Sequence, residues 1–145
     1  MGVEAIMALN KIFQSTQSEH RARVVPSGTK SGDPLLINAR PAVALTDRGN
    51  GTRTDTTGLP AGVTSISYKS GGASLQSDQA SVAFDGTWEF DVTGAATSTA
   101  QDVAVYITGA GVLTLTKGSN TLFGYTDYPE SYLKVAGRAP VRIGA

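Results

Sequence analysis

Ser31-Gly-Asp-Pro-Leu-Leu-Ile-Asn-Ala-Arg-Pro-Ala-Val-Ala-Leu-Thr-Asp47 decides how this chain folds. It opens in a turn. Gly32 tolerates positive φ, and Pro34 fixes its own φ while pushing Asp33 out of the helical region. Leu35 to Ile37 and Ala42 to Leu45 are each too short for a helix and right for buried strands. A two-residue break at Arg40-Pro41 separates them, and Pro41, which cannot donate to a ladder, belongs at a strand start or a sheet edge. Two buried strands this close in sequence give the rest of the chain a sheet to build on.

Downstream, the alternation continues. In Ala80 to Val92, Val82 and Phe84 share a face, as do Trp88, Phe90 and Val92, with Glu89 and Asp91 opposite. Asp85-Gly86 between them is either a two-residue hairpin turn or a bulge inside one bent strand. Asp102 to Thr108 reads as a strand with Val103, Val105 and Ile107 inward. Gly109-Ala-Gly111 then turns into Val112-Leu-Thr-Leu-Thr116, Thr121 to Tyr125 follows, and Tyr132 to Ala136 and Pro140 to Ile143 close the sheet.

Between these halves, Arg48 to Gly62 has almost no apolar content and reads as an exposed loop. Val63 to Lys69 is strand-like, Ser70-Gly71-Gly72 turns, and Leu75 to Gln79 suits a helical turn. Upstream, residues 1–19 form a candidate arm. Val3, Ile6, Met7, Asn10 and Phe13 would line one helical face, widened by Leu9 and Ile12. The arm either folds onto its own core as a short helix or strand, or docks on a neighbouring subunit or partner. His20-Arg-Ala-Arg-Val-Val25 alternates as an edge strand would. Its Arg21 and Arg23 fall on one face, as ordinary solvated charges or as a contact patch for an acidic partner.

Composition supports strands throughout. The 145 residues suit a single domain. Seventeen glycines exceed the roughly 10 that average usage of about 7% gives, and together with many Thr, Ser, Val and Ala they favour strands joined by tight turns. Twelve basic and twelve acidic residues give zero formal charge, without the basic excess of a dedicated nucleic-acid binder. Absent cysteine excludes disulfides and thiolate metal sites, and one His is not a zinc site. The first nine residues lack the basic region and the length of a signal peptide or membrane span, and Ile6 stands where myristoylation wants Ser or Thr; the chain is expected to be soluble and unprocessed. From Ser74 to Glu130 the only cation is Lys117 against seven carboxylates, a bipolar distribution suited to head-to-tail packing of subunits.

Several patterns together resemble a family of small decoration (cement) proteins of tailed-phage capsids. These are Gly32-Asp-Pro-Leu-Leu36 followed by Ala42-Val-Ala-Leu-Thr-Asp47, Ala80 to Val92, Ala100 to Ile107, Asn120-Thr-Leu-Phe-Gly-Tyr125 and Ala139 to Gly144. The likeness covers roughly residues 9–47 and 80–145 and rests on turn and strand residues in order, not on a chemical motif. It implies an all-β fold, a small sandwich or β-barrel-like (β-tulip-type) domain over residues 20–145, with an extended or short-helical arm and an exposed insertion at about 48–79. It slightly favours the bent strand at Asp85-Gly86.

The resemblance further implies a structural role on the outer surface of the mature head, as a homotrimer at three-fold and quasi-three-fold sites, with the major capsid protein as partner and assembly in the host cytoplasm. No nucleic acid, membrane or cofactor is expected. Ile6, Met7, Leu9, Ile12 and Phe13, with Arg21 and Arg23 beside them, form the expected capsid or subunit interface. No nucleophile elbow, HExxH, P-loop or calcium loop is present, and one His without Cys leaves few ways to activate a nucleophile, so no enzyme is expected. Glu89 and Asp91, two apart on a strand, read as a solvent face and not as an acid–base pair. The rival reading is a carbohydrate- or receptor-binding β-sandwich on the virion, with Tyr125, Tyr128 and Tyr132 stacking on sugars; a tail or baseplate subunit is a third.

Overall fold

The computed structural model describes residues 10–14, 20–49, 52–69 and 78–144. Among them are twelve strands and no helix. In chain order these are β1 (Lys11–Phe13), β2 (His20–Val24), β3 (Pro34–Ile37), β4 (Arg40–Ala44), β5 (Thr52–Asp55) and β6 (Ile66–Lys69). The second half supplies β7 (Gln79–Ala83), β8 (Gly86–Thr93), β9 (Ala104–Ile107), β10 (Leu113–Thr114), β11 (Thr121–Thr126) and β12 (Arg138–Ile143). The all-β expectation therefore stands, as a five-stranded closed barrel with a second sheet beside it.

β8 is the barrel's longest strand and its seam. Along one side it pairs with β12 from Gly86 to Asp91; along the other it takes β1 at Thr87–Trp88 and, in parallel, β10 at Val92–Thr93. The ring runs on through β9 and β11 back to β12. Its alternation is the expected one: Trp88, Phe90 and Val92 are buried, Glu89 is half-buried and Asp91 exposed. Inside, Phe90 meets Phe123 edge to face, with ring centroids 5.7 Å apart. The buried Trp88 indole donates to the Asp85 carbonyl at 2.8 Å. Closure needs a tight approach at Gly124, where β11 shifts register against β9; a Cβ there would collide with the Arg142 carbonyl oxygen of β12.

The second sheet has the order β2-β7-β4-β3. β4 is buried on both faces. Val43 and Leu45 join the barrel's core, while Ala42 and Ala44 join a second cluster with Val25, Leu35, Ile37, Ala80 and Val82. That is why the run from Ala42 reads as nearly continuous apolar sequence.

Several local expectations are corrected. The β3–β4 turn falls at Asn38-Ala39, both at positive φ (50° and 71°), so it is a two-residue hairpin of the primed type one step before Arg40-Pro41. Asp85-Gly86 is not a hairpin, because β7 and β8 lie in different sheets; the chain bends there, with Gly86 at φ 104°. Thr52–Asp55, expected as loop, pairs with β6. Tyr132 to Ala136 forms no strand and makes only the single bridge Val135–Arg138. Between Val112 and Thr116 only Leu113–Thr114 pairs. Residues 75–77 of the expected helical turn lie outside the described residues, and Gln79 opens β7. The excursion after Asp47 begins and ends at one neck, where the Gly49 amide donates to the Gln79 carbonyl at 2.8 Å.

Candidate docking surface

The described part of the expected arm is a strand, not a helix. Asn10 fixes its start: its side-chain amide donates to the Glu89 carbonyl at 2.9 Å and the Gly32 carbonyl at 3.2 Å, while the Glu89 amide donates back to the Asn10 carbonyl at 2.8 Å. One side chain thus ties the barrel to the loop preceding β3. Ile6, Met7 and Leu9 lie outside the described residues. Ile12 is half-buried and Phe13 is 64% exposed, so of the two, Phe13 is the side chain presented outward. Phe13 lines a recess of about 270 Å³ with Asp85, Asp127 and Arg142 among its other walls.

The structure brings this end of β1 to the start of β2. The Gln14 side-chain amide donates to Asp85 Oδ1 at 3.2 Å, and its Oε1 lies 3.1 Å from His20 Nε2. Phe13 and the His20–Val24 strand therefore flank one corner, the bend at Asp85-Gly86. β2 is an outer strand of its sheet, pairing with β7 alone among the described strands. Arg21 lies opposite Val82 and Arg23 opposite Ala80, so both point to the face carrying the second apolar cluster, as the alternation in sequence implies. Arg21 is exposed and Arg23 half-buried. Val24, on the other face, is 60% exposed.

Sequence reasoning missed the centre of this patch. The Phe84 ring carries the Arg23 guanidinium 5.5 Å and the Arg40 guanidinium 4.0 Å from its centroid. Stacking on an aromatic face holds a guanidinium in place without neutralising it. Among the described residues neither Arg23 nor Arg40 has a carboxylate within ion-pair distance. Arg40 sits beyond the hairpin turn, and only the folded sheet reveals that it shares a ring with Arg23.

Elsewhere the charges intermix. Arg138 reaches Glu89 at 2.9 Å and Asp91 at 3.6 Å across the β8–β12 pair, so the bipolar separation seen along the chain is partly cancelled within the fold. Glu89 also accepts from the Tyr132 hydroxyl. Burial first, and then the hydrogen bond and charge of Glu89, push that phenol up to about 12, so it remains a protonated donor near neutral pH. Tyr128 packs on Tyr132 with centroids 5.5 Å apart, and the Lys134 ammonium lies 4.4 Å from the Tyr128 ring centroid. These two rings are engaged within the chain; Tyr125 stands apart on β11, about two-fifths exposed. No protein-family model, no curated protein and no solved structure matches this chain.

Proposed function

We propose that this chain is a structural adhesive, a decoration protein that binds the outer surface of a mature phage head as a homotrimer and stabilises the shell. The reading rests on the resemblance of its turn and strand pattern. The one structural observation that supports it is the corner at Asp85-Gly86, flanked by exposed Phe13 on the barrel and by the Arg21/Arg23 strand and the Phe84 stack on the second sheet. Such a surface adheres by many modest apolar and ionic contacts, and a rigid scaffold limits the ordering cost of each. Linking three copies raises affinity by avidity, on the order of 10²-fold or more. A site that exists only on the expanded shell then stabilises that shell through roughly RT ln(1 + [L]/Kd) per site. No reacting group takes part.

The arm residues Ile6, Met7 and Leu9, with Ile12, Phe13, Arg21 and Arg23, are the proposed contacts with the major capsid protein. A chain cut before Asn10 retains the Asn10 ties to Glu89 and Gly32, so it should fold. Added to expanded heads lacking the protein, the full chain should co-sediment and raise their thermal disruption temperature. The truncated chain should bind at least about tenfold more weakly as the loss is shared by three tethered arms. Heads that neither bind nor gain stability from the full chain would defeat the proposal.

A further inference from the structure

β2 has a direction of hydrogen bonding as well as a charge pattern. The Val25 amide donates to the Asp78 carbonyl at 3.0 Å, continuing the β2–β7 register by one residue. Antiparallel pairing alternates, so Arg21 and Arg23 direct their backbone groups at β7, and the N–H and C=O of Ala22 and Val24 face away from it. Ala22 and Val24 are both exposed, and among the described residues no strand pairs with that edge. The strand therefore offers a short ladder of backbone donors and acceptors. Along one face runs a cationic row, Arg21 and Arg23 with Arg40 behind on Phe84; on the other face lies exposed Val24.

We infer that the outer edge of β2 binds an extended segment of another protein by strand addition, and that this segment alternates carboxylate and apolar residues. A carboxylate opposite Arg23 sits where two guanidiniums already converge on one ring, and an apolar residue on the reverse face covers Val24. Main-chain bonds supply affinity in this mode, and alternate side chains supply specificity. A second copy is a poor occupant. Antiparallel pairing of β2 with itself about Ala22 sets Arg21 against Arg23 of its mate, and like charges directly opposite are destabilising. Charged edge strands commonly block self-association in this way, which is compatible with accepting an acidic partner. The inference deepens the proposed role, resting on it only for the idea that the segment belongs to a shell protein.

The test uses the full chain and a labelled peptide of sequence Thr-Glu-Val-Glu-Val-Glu-Thr, with the same peptide carrying Lys for Glu as control. Fluorescence anisotropy should show saturable binding of the acidic peptide, weakened at least about tenfold by Arg23→Glu and by added salt. Hydrogen exchange on the unmodified protein should show the amides of Ala22 and Val24 exchanging freely alone and protected with peptide. Equal binding of the acidic and basic peptides, or binding without protection at Ala22 and Val24, overturns the inference. So does protection of those amides in the protein alone through dimerisation, detected by sedimentation. Head decoration that persists while the peptide fails removes this edge and leaves the structural role intact; peptide binding without head decoration does the reverse.

Discussion

The barrel and the sheet beside it are built from the same kind of strand, yet they handle their edges and interiors in opposite ways. The barrel closes on itself, so its ring strands leave few free edges, and its core holds Trp88, Phe90 and Phe123. Among the described strands the four-stranded sheet ends at β2 on one side and β3 on the other, and its own cluster is Val25, Leu35, Ile37, Ala42, Ala44, Ala80 and Val82. The ring buries its large aromatics; the open sheet buries Ala, Val, Leu and Ile and, among the described strands, leaves β2 at its edge. The molecule thus keeps its aromatic core in the closed ring and its open edge in the sheet, where a partner is proposed to bind.

The largest expected effect tests the first half of that contrast. Trp88 is fully buried at the point where β1, β8 and β12 meet, and its indole N–H is satisfied by Asp85. Trp88→Ala should cost about 3–5 kcal/mol in chemical denaturation, enough to unfold a marginal domain. Ile37→Val in the open sheet should cost about 0.5–1.5 kcal/mol by the same measurement. A loss at Trp88 no larger than that at Ile37 would mean that the barrel core is not closely packed around the indole.

The joint between the halves comes next. Asn10 Nδ2 bridges Glu89 of β8 and Gly32 of the loop entering β3. Its Oδ1 is buried without a hydrogen-bond partner among the described residues, so the side chain is anchored there through its donors. Asn10→Ala leaves two carbonyls without their partner, at a cost of about 1–2 kcal/mol. Hydrogen exchange should show the sheet amides of β3 and β4 opening more readily while barrel amides change little. Uniform acceleration over both regions would indicate one cooperative unit.

This division was only partly visible in sequence, and the reason differs by element. Strands with a buried and an exposed face declare themselves through alternation, so Trp88, Phe90 and Val92, and likewise Val105 and Ile107, read as inward and are buried, while Val103, read the same way, is half-buried. The apolar run from Ala42 reads as a buried strand, and its residues are buried on both faces. Alternation also put Arg21 and Arg23 on one face of an edge strand. Contacts between residues far apart leave no such signature: nothing near Asn10 announces Glu89, and nothing near Arg23 announces Arg40. β5 was missed because Thr52–Asp55 has no apolar residue to set a period, and β-pairing there is a property of the hairpin. The stretch Tyr132 to Ala136 misled in the opposite sense. Its apolar residues mimic a strand, but Leu133 is 84% exposed and Tyr132 is turned toward Glu89.

The smallest effect concerns the free end of the sheet, and it carries the opposite sign. The β3–β4 turn needs positive φ at both central residues, and the chain supplies Asn38, which tolerates it, and Ala39, which does so at a steric cost. This is also why the turn escaped notice: without glycine it lacks the usual signal, and Pro41 two residues later drew the break toward itself. Ala39→Gly turns the pair into the favoured Asn-Gly hairpin and relieves the Cβ clash with the following carbonyl. Glycine also widens the unfolded ensemble, which offsets part of the gain. A net stabilisation of about 0.5–1 kcal/mol is expected, read as a higher denaturation midpoint with an unchanged slope. The next residue, Arg40, stacks on Phe84 beside Arg23 and is itself unchanged, so acidic-peptide affinity should stay the same if the turn relaxes without moving that stack. A gain in stability accompanied by altered binding would show that hairpin and edge strand move together, and that the open sheet answers its partner as one body.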